Sequence, residues 1–246
     1  MSSSWYQRPL RWAFYLTLVG FVGCANSESD TWTPLFNGTD LAGWKVYQGP
    51  REANAPGDYN GWIAVDSVLV FDPARRTTPA PASIITEKSF TNFELSLEWM
   101  VDPQTNSGVL FGIQDLPEFE QLYHTGVEIQ VLDDEWTDYI EQRGDINRAA
   151  SLYNLMPPSA LVAKPTGAWN HYLLHVDHKL NEGFLVFNGV EVLRFPVHGP
   201  EWEALVADSG FADWPGFGRF QTGHIGLQEH GGMVAYRRIK IKELPE

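Results

Sequence analysis

The sequence predicts an all-β protein, a sandwich or jelly roll of antiparallel strands with long loops and one or two short helices. Three observations carry that expectation. Residues 90–101 alternate with period two, with Phe93, Leu95, Leu97, Trp99 and Val101 on one face and Glu94, Ser96 and Glu98 on the other. That is the pattern of a strand with one buried face. Asn188-Gly189 separates two apolar runs; a type I′ hairpin turn needs positive φ at both central residues, which this pair tolerates best. Convincing helical periodicity is scarce elsewhere.

In chain order, strands are expected at 63–71, 90–101, 107–113, 126–132, 169–176, 184–187, 190–195, 224–228 and 234–241. Segments 49–61 and 72–82 are rich in Pro, Gly and charge and read as loops. Segments 133–150 and 198–220 have room for short helices, with 202–207 as one candidate. They hold Trp136, Tyr139, Trp202, Trp214 and Phe217, so ordered loops packed over a sheet edge are expected. No repeat or linker interrupts residues 32–246, which read as one domain.

The N-terminus reads differently. Arg8 and Arg11 precede an apolar run of twelve residues, Trp12 to Gly23. A membrane-spanning helix needs roughly 20; a positive stretch before a short apolar core is the form of a signal peptide, here 1–23. The single cysteine, Cys24, follows Phe21-Val22-Gly23. This resembles a bacterial lipobox, whose cysteine is lipidated, and 24–31 then form the lipidated cysteine and its tether. Ala25 after the cysteine resembles outer-membrane sorting in Gram-negative lipoproteins. The expectation is an exported protein, lipid-anchored at the bacterial outer membrane or in the periplasm, that meets the membrane through that anchor alone. An ordinary secretory signal is the alternative.

The formal charge of the 246-residue chain is −14. Removing 1–23 takes two arginines and no acid, leaving −16. Such a chain is unsuited to nucleic acid, where Lys and Arg must neutralise phosphates. One cysteine excludes an intramolecular disulfide framework and a cysteine-rich zinc site. Phosphate loops, nucleophile elbows and HExxH are absent from the sequence.

Three stretches can carry chemistry. In 127–133, Val127, Ile129 and Val131 are expected to face the core, and Glu128 and Gln130 share the opposite face. A carboxylate beside an amide can bind sugar hydroxyls, and the carboxylate can transfer protons. The same pattern also suits a solvated sheet face. Asp133 has the wrong parity for that face unless a bulge re-aims it. In 226–232, Gln228 and His230 share a face, and two glycines follow the histidine. Imidazole is the usual proton-transfer group near neutral pH. Tyr153 and Asn154 enter a Pro-rich loop, either to stack on and hydrogen-bond a sugar or simply to anchor the loop.

Together these residues resemble the 3-keto-disaccharide hydrolase domain family. Residues 34–44, PLFNGTDLAGW, are similar to the start of such domains, and GLQEHG at 226–231 matches near their end. Further matches run in order through 86–98, Ser107-Gly108, 128–133, Lys164-Pro165, Trp169-Asn170 and Asn188-Gly189. The resemblance implies a concanavalin A-like jelly roll, similar to laminarinase-type glycosidases with an E-x-D-x-x-E strand. Here that strand reads Glu128-x-Gln130-x-x-Asp133, which departs from a two-carboxylate mechanism. Many members carry an arginine after the Ser-Gly strand, where this chain reads Phe111-Gly-Ile-Gln114.

The implied activity is cleavage of 3-keto-glycosides or 3-keto-disaccharides. A 3-ketone acidifies the C2 proton, so a base starts an elimination that breaks the C1 glycosidic bond, and water then adds. Glu128 and His230 are the implied acid and base, in either order. Gln130, Asp133, Tyr153, Asn154 and Gln228 are the implied substrate-binding residues. No cofactor is fixed by the motifs; a divalent metal that polarises the ketone is compatible with the chemistry. The alternative is a non-catalytic cell-surface carbohydrate-binding module on the same scaffold.

Overall fold

The computed structural model describes residues 31–52 and 54–245. The expected signal segment, Cys24 and its tether up to residue 30 lie outside the described residues. Among the described residues no helix is long and apolar enough to cross a membrane.

The strands in chain order are β1 (Thr33–Pro34), β2 (Trp44–Val46), β3 (Trp62–Val65), β4 (Val68–Phe71), β5 (Ile84–Phe90), β6 (Phe93–Val101), β7 (Asn106–Ile113), β8 (Val127–Leu132), β9 (Asn170–Asp177), β10 (Glu182–Phe187), β11 (Val190–Phe195), β12 (Gly223–Glu229) and β13 (Val234–Glu243). Two α-helices, α1 (Thr137–Arg143) and α2 (Gly199–Ala207), lie in the two long loops. An eight-stranded sheet runs β11-β10-β9-β6-β13-β4-β3, with β1 also paired to β13. A five-stranded sheet runs β2-β5-β12-β7-β8. All pairs are antiparallel, and the two sheets stack as a jelly-roll sandwich.

The alternation at 93–101 holds: Phe93, Leu95, Leu97, Trp99 and Val101 are buried between the sheets. Trp99 meets Phe187 and Tyr172 at centroid separations of 6.0 and 5.4 Å, within the range of favourable ring contacts. Two tyrosines tie the sheets together across the core. Tyr172 Oη donates to the Gln130 carbonyl at 2.7 Å, and the Tyr236 and Ser107 hydroxyls bond at 2.7 Å.

The turn at Asn188-Gly189 has φ of 49° and 87°, as the dipeptide requires. The segment 63–71 is a hairpin rather than one strand. Asp66 and Ser67 take φ of 50° and 62° and fold it into β3 and β4. A turn built from Asp-Ser carries no glycine signal.

β7 and β8 are buried along their whole length. One face meets the sandwich core. The other is covered by 122–126, by 145–156 and by 209–218. The β8 edge is closed by 150–153. Ala150 N donates to Gln130 O, Gln130 N to Ser151 O and Tyr153 N to Glu128 O, each at 2.9–3.0 Å. A covered edge prevents pairing with other chains. It also means that the face bearing Glu128 and Gln130 is not a solvated sheet surface.

Candidate active site

The order β12-β7-β8 places three functional strands side by side. Gln228 lies opposite Gly108, and Gly108 lies opposite Gln130. Residues with the same parity as Gly108 therefore share the outer face of the five-stranded sheet. There they floor a cavity of about 320 Å³ lined by Asn106, Tyr123, Gly126, Glu128, Tyr153, Asn154, Gly210, Phe211, Trp214, Phe217, Gln228 and His230. Five residues expected from the sequence meet in it: Glu128, Tyr153, Asn154, Gln228 and His230.

Glu128 is 6 % exposed. Its carboxyl lies across Gly108, where a Cβ would come within 2.0 Å of Oε1. The missing side chain at position 108 is what makes room for it. No hydrogen bond reaches the carboxyl from the described residues. Burial alone raises its pKa to about 8, because desolvation disfavours the charged form. At neutral pH this group is mainly a neutral acid.

His230 sits one residue past β12, exposed at the mouth of the cavity. Its direction is set by the backbone. Gly231 turns the chain at φ 87°. Glu229, on the other face, accepts from Gly231 N at 3.3 Å and from Ala82 N at 3.1 Å, and pairs with Arg76 at 3.5 Å.

Tyr153 and Asn154 come from the segment that closes the β8 edge. Asn154 takes φ 57°, and its amide packs against the α-carbon of Gly210. Aromatic rings form the roof: Phe211 and Phe217 stack at 4.0 Å, and Trp214 meets Phe211 at 5.1 Å.

Two expected residues are not brought to this cavity. β7 and β8 pair without a bulge, so Asp133 keeps its off-face parity. Its carboxylate accepts from Gln104 N at 2.8 Å, Thr166 Oγ1 at 2.6 Å and Glu135 N at 3.0 Å. Both oxygens thus hold loops together instead of facing a ligand. Gln130 shares the face of Glu128 but is fully buried, and its Nε2 donates to Asn147 O at 3.2 Å. The loop carrying α1 covers it. Gln114 spends its amide on the Thr222 carbonyl at 2.8 Å.

The sequence reading missed Asn106, Tyr123, Phe211 and Trp214. Asn106 had a legible signal, since it shares parity with Gly108. The others come from loops whose approach to the sheet leaves no spacing pattern.

A second cavity, of about 400 Å³, lies beyond Phe217 and is lined by His178, His198, Trp202, Glu203, Arg219 and neighbours. It holds none of the residues expected from the sequence. Among the described residues no three His, Cys, Asp or Glu side chains gather as metal ligands.

The sequence profile of the 3-keto-alpha-glucoside-1,2-lyase-like domain matches residues 31–242. The chain belongs to that family. A 3-keto-disaccharide hydrolase of Bacteroides thetaiotaomicron is 29% identical over 241 residues, covering 88% of this chain and 80% of that protein. A crystal structure of a Parabacteroides distasonis protein assigned to the glycosyl hydrolases superposes with a TM-score of 0.76. It is 29% identical and covers 87% of this chain and 94% of that one. A Bacillus subtilis protein of galectin-like fold, 12% identical, covers 89% of this chain and 97% of its own, with a TM-score of 0.53. That likeness concerns the sandwich only. In this chain, residues 226–231 form the strand end that delivers Gln228 and His230, and Gly108 is the gap over which Glu128 lies.

Proposed function

We propose that this chain is an enzyme that cleaves 3-keto-glycosides or 3-keto-disaccharides by elimination followed by hydration. One observation carries the reading. A carboxyl without a hydrogen-bond partner, its pKa raised to about 8, shares a cavity with an exposed imidazole. Elimination needs a base for the C2 proton and an acid for the departing C1 oxygen. Glu128, neutral and buried, suits the acid. His230, at the mouth, suits the base. Family membership supports a glycoside as substrate.

The aromatic roof would also suit a binding module. A binding site, however, gains nothing from a buried carboxyl that an amide would not supply at lower cost. The perturbed acid therefore favours catalysis.

The test is to incubate the protein with a 3-keto-glucoside and, separately, with the plain glucoside. Aglycone release is expected from the first only. Equal release from both would overturn the C2-proton route; release from neither would overturn the enzyme reading. His230→Ala should lower kcat at least ~100-fold on the keto substrate, and a loss of only a few-fold would remove the imidazole from the proposed role.

We also propose export and lipid anchoring through Cys24. Cys24→Ser is expected to move the protein from the membrane fraction to the soluble fraction. Unchanged membrane recovery would contradict the anchor.

A further inference from the structure

Glu128 does not stand at one end of its cavity; it divides it. We infer that the half beyond it, walled by Tyr123, Trp214 and Phe217, is the subsite for the leaving group, and that it selects leaving groups carrying a ring with a flat apolar face. The inference rests on the elimination reading above, in which His230 is the base and Glu128 the acid.

The strand registers give the layout. Gln228 pairs with Gly108 and Glu229 with Ser107, so His230 comes level with Asn106. Phe111 pairs with Val127, so Gly126 comes level with Gly112 at the opposite end. At strand spacing these two levels lie about 20 Å apart along β7. The Glu128 carboxyl lies across Gly108. It is thus about 7 Å from the level of His230 and about 13 Å from that of Gly126. The chemistry then orients the substrate. C2 of the cleaved sugar must meet His230, and its C1 oxygen must meet Glu128. The reacting ring therefore lies over Asn106, Gly108 and Gln228, and the leaving group continues past Glu128 toward Gly126.

That end is built of rings. The segment after α2 is pinned over it, with Gly218 N donating to Thr125 O at 3.0 Å and Trp214 N to Phe211 O at 2.9 Å. Trp214 meets Tyr123 at 5.9 Å and Phe217 at 6.5 Å, and His124 braces it at 5.1 Å with the rings near perpendicular. Tyr123 and Trp214 are only partly buried and both line the cavity, so ring surface is left for a ligand. Polar groups are fewer here. They are the Tyr123 hydroxyl, the Trp214 indole N–H and the amide of Asn154, which the antiparallel bridge between Ile129 and Leu152 brings level with Val127. Among the described residues no hydrogen bond reaches any of the three side chains.

Two kinds of leaving group share the chemistry that such a wall binds. One is an alcohol bearing an aromatic ring. The other is a second pyranose, which packs the apolar C–H face of its ring on aromatic side chains and turns its hydroxyls to the three polar groups. Either one removes ring surface from water. A methyl leaving group would reach none of it. Binding gained by this remote part of the substrate can hold the C1 oxygen against Glu128 as the bond breaks, so it is expected in kcat/KM.

The test measures kcat/KM of the full-length protein on 3-keto-glucosides whose leaving groups are methanol, benzyl alcohol and glucose, in both anomeric series. Methanol and benzyl alcohol leave with similar basicity, so that pair reads the ring and not the leaving oxygen. The benzyl and glucosyl substrates should each exceed the methyl one by ~30-fold, the scale of burying one ring against apolar side chains. The faster of the two names the natural leaving group. In Trp214→Ala the benzyl-to-methyl ratio should shrink to within ~3-fold, and Trp214→Phe, which keeps a ring, should recover most of it. Both substrates meet the same preparation, so a reduced folded fraction cancels from the ratio, and the wild-type ratio needs no variant at all. A methyl glycoside cleaved as fast as both ring substrates would overturn the subsite. So would an unchanged ratio in Trp214→Ala. Failure of the wild-type protein on all three substrates would instead strike the elimination reading, and the subsite with it.

Discussion

Glu128→Gln is expected to abolish cleavage of a 3-keto-glycoside with an alkyl leaving group, yet to make the protein more heat-stable at pH 9. Both effects have one cause. The wild-type carboxyl has a folded pKa of about 8 against an ordinary value of 4.5. Its folded pKa is raised, so the folded state holds an extra proton between those values. Stability is therefore fully present below pH 4.5 and declines as pH rises toward 8. The window is about 3.5 pH units at about 1.4 kcal/mol each, or on the order of 5 kcal/mol in all.

Glutamine keeps the shape without the charge. At pH 5 the variant and wild type should melt within a few degrees of each other. At pH 9 the variant should melt ~10 °C higher, given roughly 2–4 °C per kcal/mol in a chain of this size. An equal difference at both pH values would contradict a buried, uncompensated carboxyl. On the catalytic side, kcat of the wild type should fall as pH passes about 8, where the acid is lost. A nitrophenyl leaving group needs little protonation, so Glu128→Gln should retain much more activity on it than on the alkyl glycoside. Equal losses on both would remove the acid role.

Gly108→Ala is expected to cost at least ~100-fold in kcat/KM while leaving the sandwich intact. The added methyl would stand 2.0 Å from Glu128 Oε1 and 2.7 Å from its Cδ. Gly108 has an ordinary strand conformation, so alanine meets no backbone obstacle; the strain falls on the Glu128 side chain, which must swing away. Displacing a catalytic group by 1 Å can cost 10²-fold, and overpacking costs about 1–3 kcal/mol of stability. A circular dichroism spectrum like that of wild type, with turnover lost, is the expected result. Full turnover would show that the carboxyl position is not critical.

Much of this was legible in the chain. The alternation at 93–101 marked the central strand β6, and the Asn-Gly turn marked the β10–β11 hairpin, both in the large sheet. The shared parity of Glu128 with Gln130, and of Gln228 with His230, placed these pairs correctly on their faces. What parity cannot tell is what lies above a face. Gln130 has the right parity, but the backbone of Ala150 and Ser151 pairs with its strand and the α1 loop buries its amide. Asp133 was expected at the site only if a bulge existed, and the ladder runs without one. Two of its three loop bonds come from Gln104 and Thr166, too distant in sequence for local spacing to reveal. β1 and β2 are two and three residues long, below the length at which alternation can be seen. β5 mixes buried and exposed positions without a regular period.

The pairing of β1 with β13 bears on how the protein can be handled. Thr33 and Pro34 enter the eight-stranded sheet, and Lys240 covers the ring of the preceding Trp32 at 4.9 Å, whereas the cavity floor is the outer face of the other sheet. The first described residues thus join the fold behind the hydrophobic layer from the cavity mouth. A resin coupled at residue 31 itself would be held on the rear of the sandwich, with the entrance turned toward bulk solution. Immobilised protein should then turn over large aglycones as readily as free protein, whereas coupling through the 209–218 roof would block the way in.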